Sequence, residues 1–139
     1  KKMIHRTALL KKVAPMPIFP GEKNFNPSYL MYQLDRFGKL YVTNDCFCIV
    51  DYQPDGMSSN IFKQYRNSPN SFAETRKLYL SFPETSFRFK LKQYIHYVSS
   101  CLLAGKLFYG IKEAPDSKMA VLELIPGCLL TLVVFYKSK

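Results

Sequence analysis

Apolar and basic residues alternate without a break in the stretch Ser86-Phe87-Arg88-Phe89-Lys90-Leu91-Lys92. Successive side chains of a β-strand point to opposite faces of a sheet. The alternation therefore predicts a strand with one buried apolar face and one face that carries Arg88, Lys90 and Lys92. This stretch decides the predicted fold class, which is mostly β.

Turn residues divide much of the remaining chain into further strands. The segment 94–111 fits either helix or strand, but its β-branched and aromatic start, together with Gly105 and Gly110, favours strands. Predicted strands and hairpins cover residues 29–52, 77–82, 86–92 and 119–136. The turns between them are predicted at residues 35–38, 53–56, 83–85 and 114–117, and at Pro126-Gly127.

Two regions are predicted along the 139 residues. Residues 1–28 form an extended basic arm, since five basic residues precede the first acid, Glu22. The prolines of the segment 15–20 disfavour helix there. We expect residues 1–20 to become ordered only against a partner. Residues 29–139 form a single β domain with a long polar loop at about 57–76, in which Ile61 to Arg66 can form a short helix.

The charge of the chain points to its class of partner. Twenty Lys and Arg oppose ten Asp and Glu, which gives a net charge of +10. Such a chain suits RNA, DNA or an anionic membrane surface, although a basic protein without a polyanion partner is the alternative. The longest apolar run, Leu129 to Tyr136, is too short to cross a bilayer, which takes about 20 residues. We therefore predict a cytoplasmic protein with no membrane partner and with free thiols.

Cations interleaved with aromatic residues are the main functional signal. Cations neutralise phosphates, and aromatic or guanidinium planes stack on unpaired bases. The residues predicted to contact RNA or the ribosome are Lys1, Lys2, Arg6, Lys11, Lys12, Lys63, Arg66, Arg76, Lys77, Arg88, Lys90 and Lys92.

A zinc site is the first chemical alternative. Cys46 and Cys48 would lie on one face of a strand, and Cys101 and Cys128 could join them. Structural zinc sites, however, present closely spaced cysteine knuckles from loops, and this spacing is lacking here. We predict free thiols, no metal and no cofactor.

Catalysis is the second alternative. A nucleophile within Ser99-Ser100-Cys101 would need a base and an orienting group in reach. Only His5 and His96 could supply an imidazole base, and neither comes with a catalytic motif. We predict no catalytic residue, no small-molecule substrate and no enzymatic activity.

One part of the chain is similar to a known family. The run Tyr97-Val98-Ser99-Ser100-Cys101 followed by Gly105-Lys106-Leu107 resembles the Tyr-x-Val-Ser-Ser-Cys-x-x-Gly-x-Leu core of the Simiate family, also called Abitram, the actin-binding transcription modulator. The resemblance extends in pattern to Gly110 to Pro115, to Val121-Leu122-Glu123, and to Pro126-Gly127 with the apolar segment that follows it. Upstream, Tyr41 to Asp51 resembles an early strand of the family. The arm and the long loop do not match.

The resemblance implies a fold and a function. The fold is a lipoyl/H-protein-like β-sandwich, the barrel-sandwich hybrid, here without a recognisable modified-lysine hairpin. The short, Lys-rich and aromatic-rich character is similar to a microsporidian member. That likeness implies a dormancy (hibernation) factor that occupies the tRNA exit site of idle ribosomes, contacts small-subunit rRNA and ribosomal proteins, and represses translation. The alternatives are a nuclear transcription or actin-associated adaptor and a structural subunit of a ribosomal or mitochondrial assembly.

Overall fold

The computed structural model describes residues 4–38, 41–46, 48–49, 51 and 60–139, and within these residues the regular structure is helical throughout. The described helices are α1 (Thr7–Val13), α2 (Ser28–Leu34), α3 (Ile61–Asn67), α4 (Pro69–Leu80), α5 (Phe87–Leu103), α6 (Leu107–Glu113), α7 (Ser117–Leu122) and α8 (Leu124–Lys137). Helix α5 is the longest and packs against both α4 and α8, while α6 and α7 cover its C-terminal half.

The predicted β-sandwich is wrong, and the barrel-sandwich hybrid implied by the family resemblance is wrong with it. The predicted strand 86–92 is the start of α5, the strand 77–82 lies mostly in α4, and the hairpin 119–136 lies in α7 and α8. Residues 29–34 belong to α2, whereas 41–46, 48–49 and 51 have no regular secondary structure. The rest of that predicted hairpin and the turn at 53–56 lie outside the described residues.

The period of burial explains the error. Tyr94, Tyr97, Val98 and Cys101 are all buried, and their spacing marks one face of an α-helix. Phe87, by contrast, is 65% exposed, so the alternating apolar residues of the stretch 86–92 do not share a buried face. The short alternation is overridden by the helical period of the turns that follow it, because tertiary packing outweighs local propensity.

Capping residues at both ends of α5 also favour a helix. Ser86 is the N-cap, and its side-chain oxygen accepts a hydrogen bond from the Phe89 N–H. At the other end Gly105 has a φ of +68°. The Gly105 N–H donates to the Leu102 carbonyl and the Lys106 N–H to the Cys101 carbonyl, which is a Schellman motif. The glycine that favoured strands in the sequence therefore ends a helix.

Small residues allow α5 and α8 to approach closely. A Cβ atom added to Gly127 would lie 2.5 Å from Cγ1 and 2.9 Å from Cβ of Val98. Thr131 Oγ1 lies 3.0 Å from Ser99 Oγ in the same interface. The turn predicted at Pro126-Gly127 is wrong, because both residues lie near the start of α8, where proline is tolerated.

The N-terminal segment is joined to the rest of the molecule at Glu22. Its carboxylate accepts hydrogen bonds from the backbone N–H groups of Asn70 and Ser71, both at 2.8 Å, and from their side chains. A carboxylate is favourable there, since these N–H groups begin α4. The extended conformation predicted for the arm is wrong for Thr7–Val13, which is helical.

Some sequence predictions are confirmed. The short helix expected within the polar loop is α3, and turns or bends occur at 35–38, 83–85 and 114–116. The long loop itself is wrong for residues 69–76, which belong to α4, and the strands favoured for 94–111 are wrong, because that segment lies mostly in α5 and α6. None of the helices within the described ranges combines the length and the apolar character needed to cross a membrane.

Candidate functional site

The packing of α4 on α5 places Arg76 beside the part of α5 that carries Lys92. Arg76 of α4 donates from Nη1 to Gln93 Oε1 at 2.8 Å. Arg88 and Lys92 are exposed on α5 one helical turn apart, a spacing that makes their side chains neighbours. We call Arg76, Arg88 and Lys92 the basic face.

Aromatic rings adjoin the basic face. The guanidinium carbon of Arg76 lies 5.7 Å from the centroid of the Tyr79 ring, and that ring lies 6.3 Å from the ring of Phe89. Cation–π contact and the bond to Gln93 together fix the direction of the Arg76 side chain. Its Nε–H is buried and has no hydrogen-bond partner within the described part of the chain. The surroundings therefore orient this cation without satisfying all its donors.

A polar network lies beneath the basic face. The Tyr65 hydroxyl lies 3.2 Å from His96 Nδ1, 2.9 Å from the His96 carbonyl oxygen and 3.1 Å from Ser100 Oγ. Burial, followed by the charges of Arg76 and Lys92, lowers the pKa of His96 to about 4. Burial also raises the pKa of Tyr65. At neutral pH both groups are uncharged, so the charge at this site is that of the three cations.

Two further residues predicted for the site point elsewhere. Lys90 was predicted on the same face as Arg88 and Lys92, which is wrong, because residues two positions apart lie on different sides of a helix. Its Nζ instead donates to the Pro83 carbonyl at 3.3 Å. Lys77 forms an ion pair with Glu113 at 3.4 Å.

The remaining predicted cations are spread over other elements. Arg66 of α3 lies over the ring of Phe135, with 5.2 Å from its guanidinium carbon to the ring centroid. Lys63 is exposed on the same helix. Arg6, Lys11 and Lys12 are exposed at α1. Lys1 and Lys2 lie outside the described residues.

Most of the described positive charge has no carboxylate partner. Within the residues that the structure describes, the ion pair between Lys77 and Glu113 is the one found. Glu22 is occupied with the backbone of α4. Little of the positive charge on the described residues is therefore neutralised by a carboxylate.

Within the described residues, neither the zinc site nor the catalytic nucleophile considered above has suitable geometry. Cys46, Cys48 and Cys128 are exposed, whereas Cys101 is buried and its pKa is raised by that burial. The described part of the chain holds no cluster of three or more His, Cys, Asp or Glu side chains able to bind a metal. Ser99 and Ser100 are fully buried, so neither presents an accessible nucleophile.

The network of Tyr65, His96 and Ser100 is not predicted from the sequence. The signal that could have found it is the spacing of Arg88, Lys92 and His96 at successive turns, which is visible only once the segment is taken as a helix. The exposed apolar side of α8 is likewise not predicted from the sequence, because the pattern of residues 119–136 indicates a hairpin.

Over its described residues the chain is thus a helical protein in which cations lie above a buried polar network. No family model, no curated protein and no solved structure matches the chain. The fold implied by the likeness to the Simiate family is not the fold of the residues that the structure describes.

Proposed function

We propose that this protein binds RNA through its phosphate backbone and performs no catalysis. The observation that carries the proposal is that Arg76 is held at Gln93, the residue after Lys92, and that Arg88 lies one helical turn before Lys92. None of these three cations forms an ion pair within the described residues. Cations placed in this way release counterions from a nucleic acid when they bind it.

The neighbouring rings support RNA over other polyanions. Phe89 is 38% exposed, and its ring lies beside the Tyr79 ring that Arg76 also contacts. Single-stranded nucleic acids bind through cations that follow the backbone and aromatic side chains on which bases stack. A face that offers both suits an RNA loop or single strand better than an anion without bases.

Ribosomal RNA is the target that we propose to test first. In this proposal the chain is a dormancy factor that contacts small-subunit rRNA and ribosomal proteins at the tRNA exit site. An actin-associated or transcriptional adaptor, or a structural subunit, would also bind its partner through the positive charge of the chain. Co-sedimentation separates these alternatives. A dormancy factor is enriched on idle ribosomes, a structural subunit is equally present on idle and active ones, and an adaptor is absent from both.

The basic face is tested by Arg88→Gln combined with Lys92→Gln. Both side chains are exposed, so the fold is retained. Each cation that no longer neutralises a phosphate should flatten the slope of log affinity against log salt by about 0.7 for single-stranded RNA and about 0.9 for a duplex. Affinity is measured by fluorescence anisotropy with a labelled rRNA hairpin over a range of salt concentrations.

The matched control is Lys23→Gln combined with Lys112→Gln. These exposed lysines lie outside the basic face, and the double variant loses the same two charges. If the control weakens binding as much as the basic-face variant, net charge alone accounts for the affinity and the proposed site is wrong. Neutralising Arg6, Lys11 and Lys12 tests the predicted contribution of the N-terminal segment in the same assay.

A further inference from the structure

The outer side of α7 and α8 is apolar and faces solvent. Residues spaced alternately by three and four positions form a stripe, and each is between 59% and 79% exposed: Leu122, Ile125, Leu129, Leu132 and Tyr136. Val121, Val133 and Phe135 widen the stripe and are also exposed. We call these eight residues the apolar face.

The inner side of α8 is already used. Gly127, Thr131 and Val134 are buried, the first two of them against α5. Helix α8 is therefore apolar nearly all round, although one side of it meets water. Helices of this kind are ordinarily buried, and a contiguous exposed apolar patch marks a surface that binds something.

Positive charge borders the apolar face at both ends. Lys118 is exposed in α7, and at the other end Lys137, the last residue of α8, and Lys139 are exposed. Lys137 Nζ lies 5.1 Å from the centroid of the Phe62 ring, which places its charge beside α3. The only acid in residues 117–139 is Glu123, which is 7% exposed.

We propose that the apolar face binds an anionic lipid surface. Helix α8 has 14 residues and would lie in the plane of the membrane, with its apolar side chains at the boundary of headgroups and acyl chains. The flanking lysines would then contact acidic headgroups, and Phe135 and Tyr136 would take the interfacial position that aromatic residues favour. A lipid partner departs from the sequence prediction, which is that the protein has no membrane partner.

Charge decides between lipid and a second copy of the chain. Parallel pairing of two α8 helices would place Lys137 against its own copy, and antiparallel pairing would place it near Lys118. Both arrangements bring cations together in a chain whose net charge is +10. An acidic lipid surface attracts the same cations, so the border of the face complements lipid and opposes self-association.

Vesicle flotation tests the proposal. The probes are vesicles of phosphatidylcholine alone and vesicles of phosphatidylcholine with about one-third phosphatidylserine. The protein should float with the anionic vesicles and much less with the neutral ones. Leu129→Ser combined with Leu132→Ser should lower partitioning by about tenfold for each leucine.

Two controls separate lipid binding from other effects. Ile18→Ser with Ile49→Ser removes two exposed aliphatic side chains elsewhere, both over 80% exposed, and should leave partitioning unchanged. Arg88→Gln with Lys92→Gln should weaken RNA binding while flotation persists. The two proposals can therefore fail separately.

Cys128 offers a direct readout, because it is exposed on α8 and its spacing of three and four positions from Ile125 and Leu132 makes it a neighbour of the apolar face. In a Cys46→Ser, Cys48→Ser background, an environment-sensitive fluorophore on Cys128 should shift to the blue on addition of anionic vesicles. An unshifted label, or flotation that is insensitive to the leucine substitutions, would overturn the proposal. So would a dimer seen by analytical ultracentrifugation that the leucine substitutions dissolve in a protein that does not float.

Discussion

Helix α5 packs against two sets of neighbours through interfaces of different chemistry. Toward α3 and α4 it presents Gln93, His96 and Ser100, which form hydrogen bonds with Arg76 and Tyr65. Toward α8 it presents small or β-branched side chains that meet a glycine and a threonine. The first interface is specified by hydrogen bonds and the second mainly by shape.

The difference extends to the surfaces that these helices leave exposed. The side of α5 next to the polar network carries cations, and the side of α8 opposite the close contact carries apolar residues. Each part of the molecule thus offers solvent a different chemistry. The lesson is that a small helical protein can carry two distinct binding surfaces on either side of one central helix.

The largest stability change is expected at the close contact. Gly127→Ala would place a methyl group against the branched Cβ of Val98, which cannot rotate away. We expect the free energy of unfolding to fall by about 1–3 kcal/mol, as for overpacked cores. Urea denaturation measures it. Gly38→Ala is the control, since an added Cβ there meets no atom within 4 Å. Equal stability of both variants would show that shape does not specify this interface.

The polar interface should make stability depend on pH. The pKa of His96 is about 4 in the folded protein, below its ordinary value of 6.5. As the pH falls between these values the unfolded chain binds a proton that the folded chain does not, so stability decreases. After allowance for solvent screening we expect about 1–2 kcal/mol. His96→Asn keeps a polar group near Tyr65 and should remove this part of the pH dependence. If stability varied with pH in the same way in the wild type and in His96→Asn, His96 would not be the source of the pH dependence.

The charge of Arg88 should destabilise the folded protein, so its removal should increase stability. It lies in the first turn of α5, where the helix dipole disfavours a cation and no acid compensates. Arg88→Gln should therefore raise the free energy of unfolding by about 0.3–1 kcal/mol. Lys137→Gln is the matched control, because its cation lies in the last turn of α8 and its removal should destabilise by a similar amount. A loss of stability in Arg88→Gln would mean that its charge is structural.

The apolar face should matter least for folding. Leu129→Ser with Leu132→Ser replaces side chains that are already exposed, so the change in the free energy of unfolding should stay within about 0.5 kcal/mol for each substitution. Thermal denaturation of wild type and variant in lipid-free buffer checks this. A larger effect would show that these leucines pack within the monomer.

The predicted turns agree with the structure better than the predicted types of secondary structure between them. The turns at 35–38 and 83–85 and the short helix α3 are found where residue types predicted them. Between these boundaries, β-branched and aromatic residues suggested strands, yet β propensity mainly reports how well a side chain fits a half-buried surface. The same side chains pack equally well on the buried face of α5.

Several residues carried helix signals that were interpreted otherwise. Ser86 and Asp116 are N-caps with side-chain hydrogen bonds to the first turns of α5 and α7. Gly105 marks the end of α5. Of the candidate site, the sequence predicts Arg76, Arg88 and Lys92 from their charge and their interleaving with aromatic residues, and Arg88 and Lys92 also from the alternation in 86–92. Their relation to Tyr65 and His96 could not be predicted, because it depends on how three helices pack.

The Glu22 carboxylate has a consequence for the integrity of the chain. Through it the segment before α2 is bound to residues 70 and 71, 48 and 49 positions further along. Residues 41–46 lie between these points and are exposed. A protease that cuts there would leave two fragments held together without a covalent bond. The pair would behave as a complemented fragment complex, joined also by the contact of the Tyr32 and Tyr79 rings and by the hydrogen bond from Arg36 to Ser81. Replacement of Glu22 by alanine should weaken the association of the two fragments.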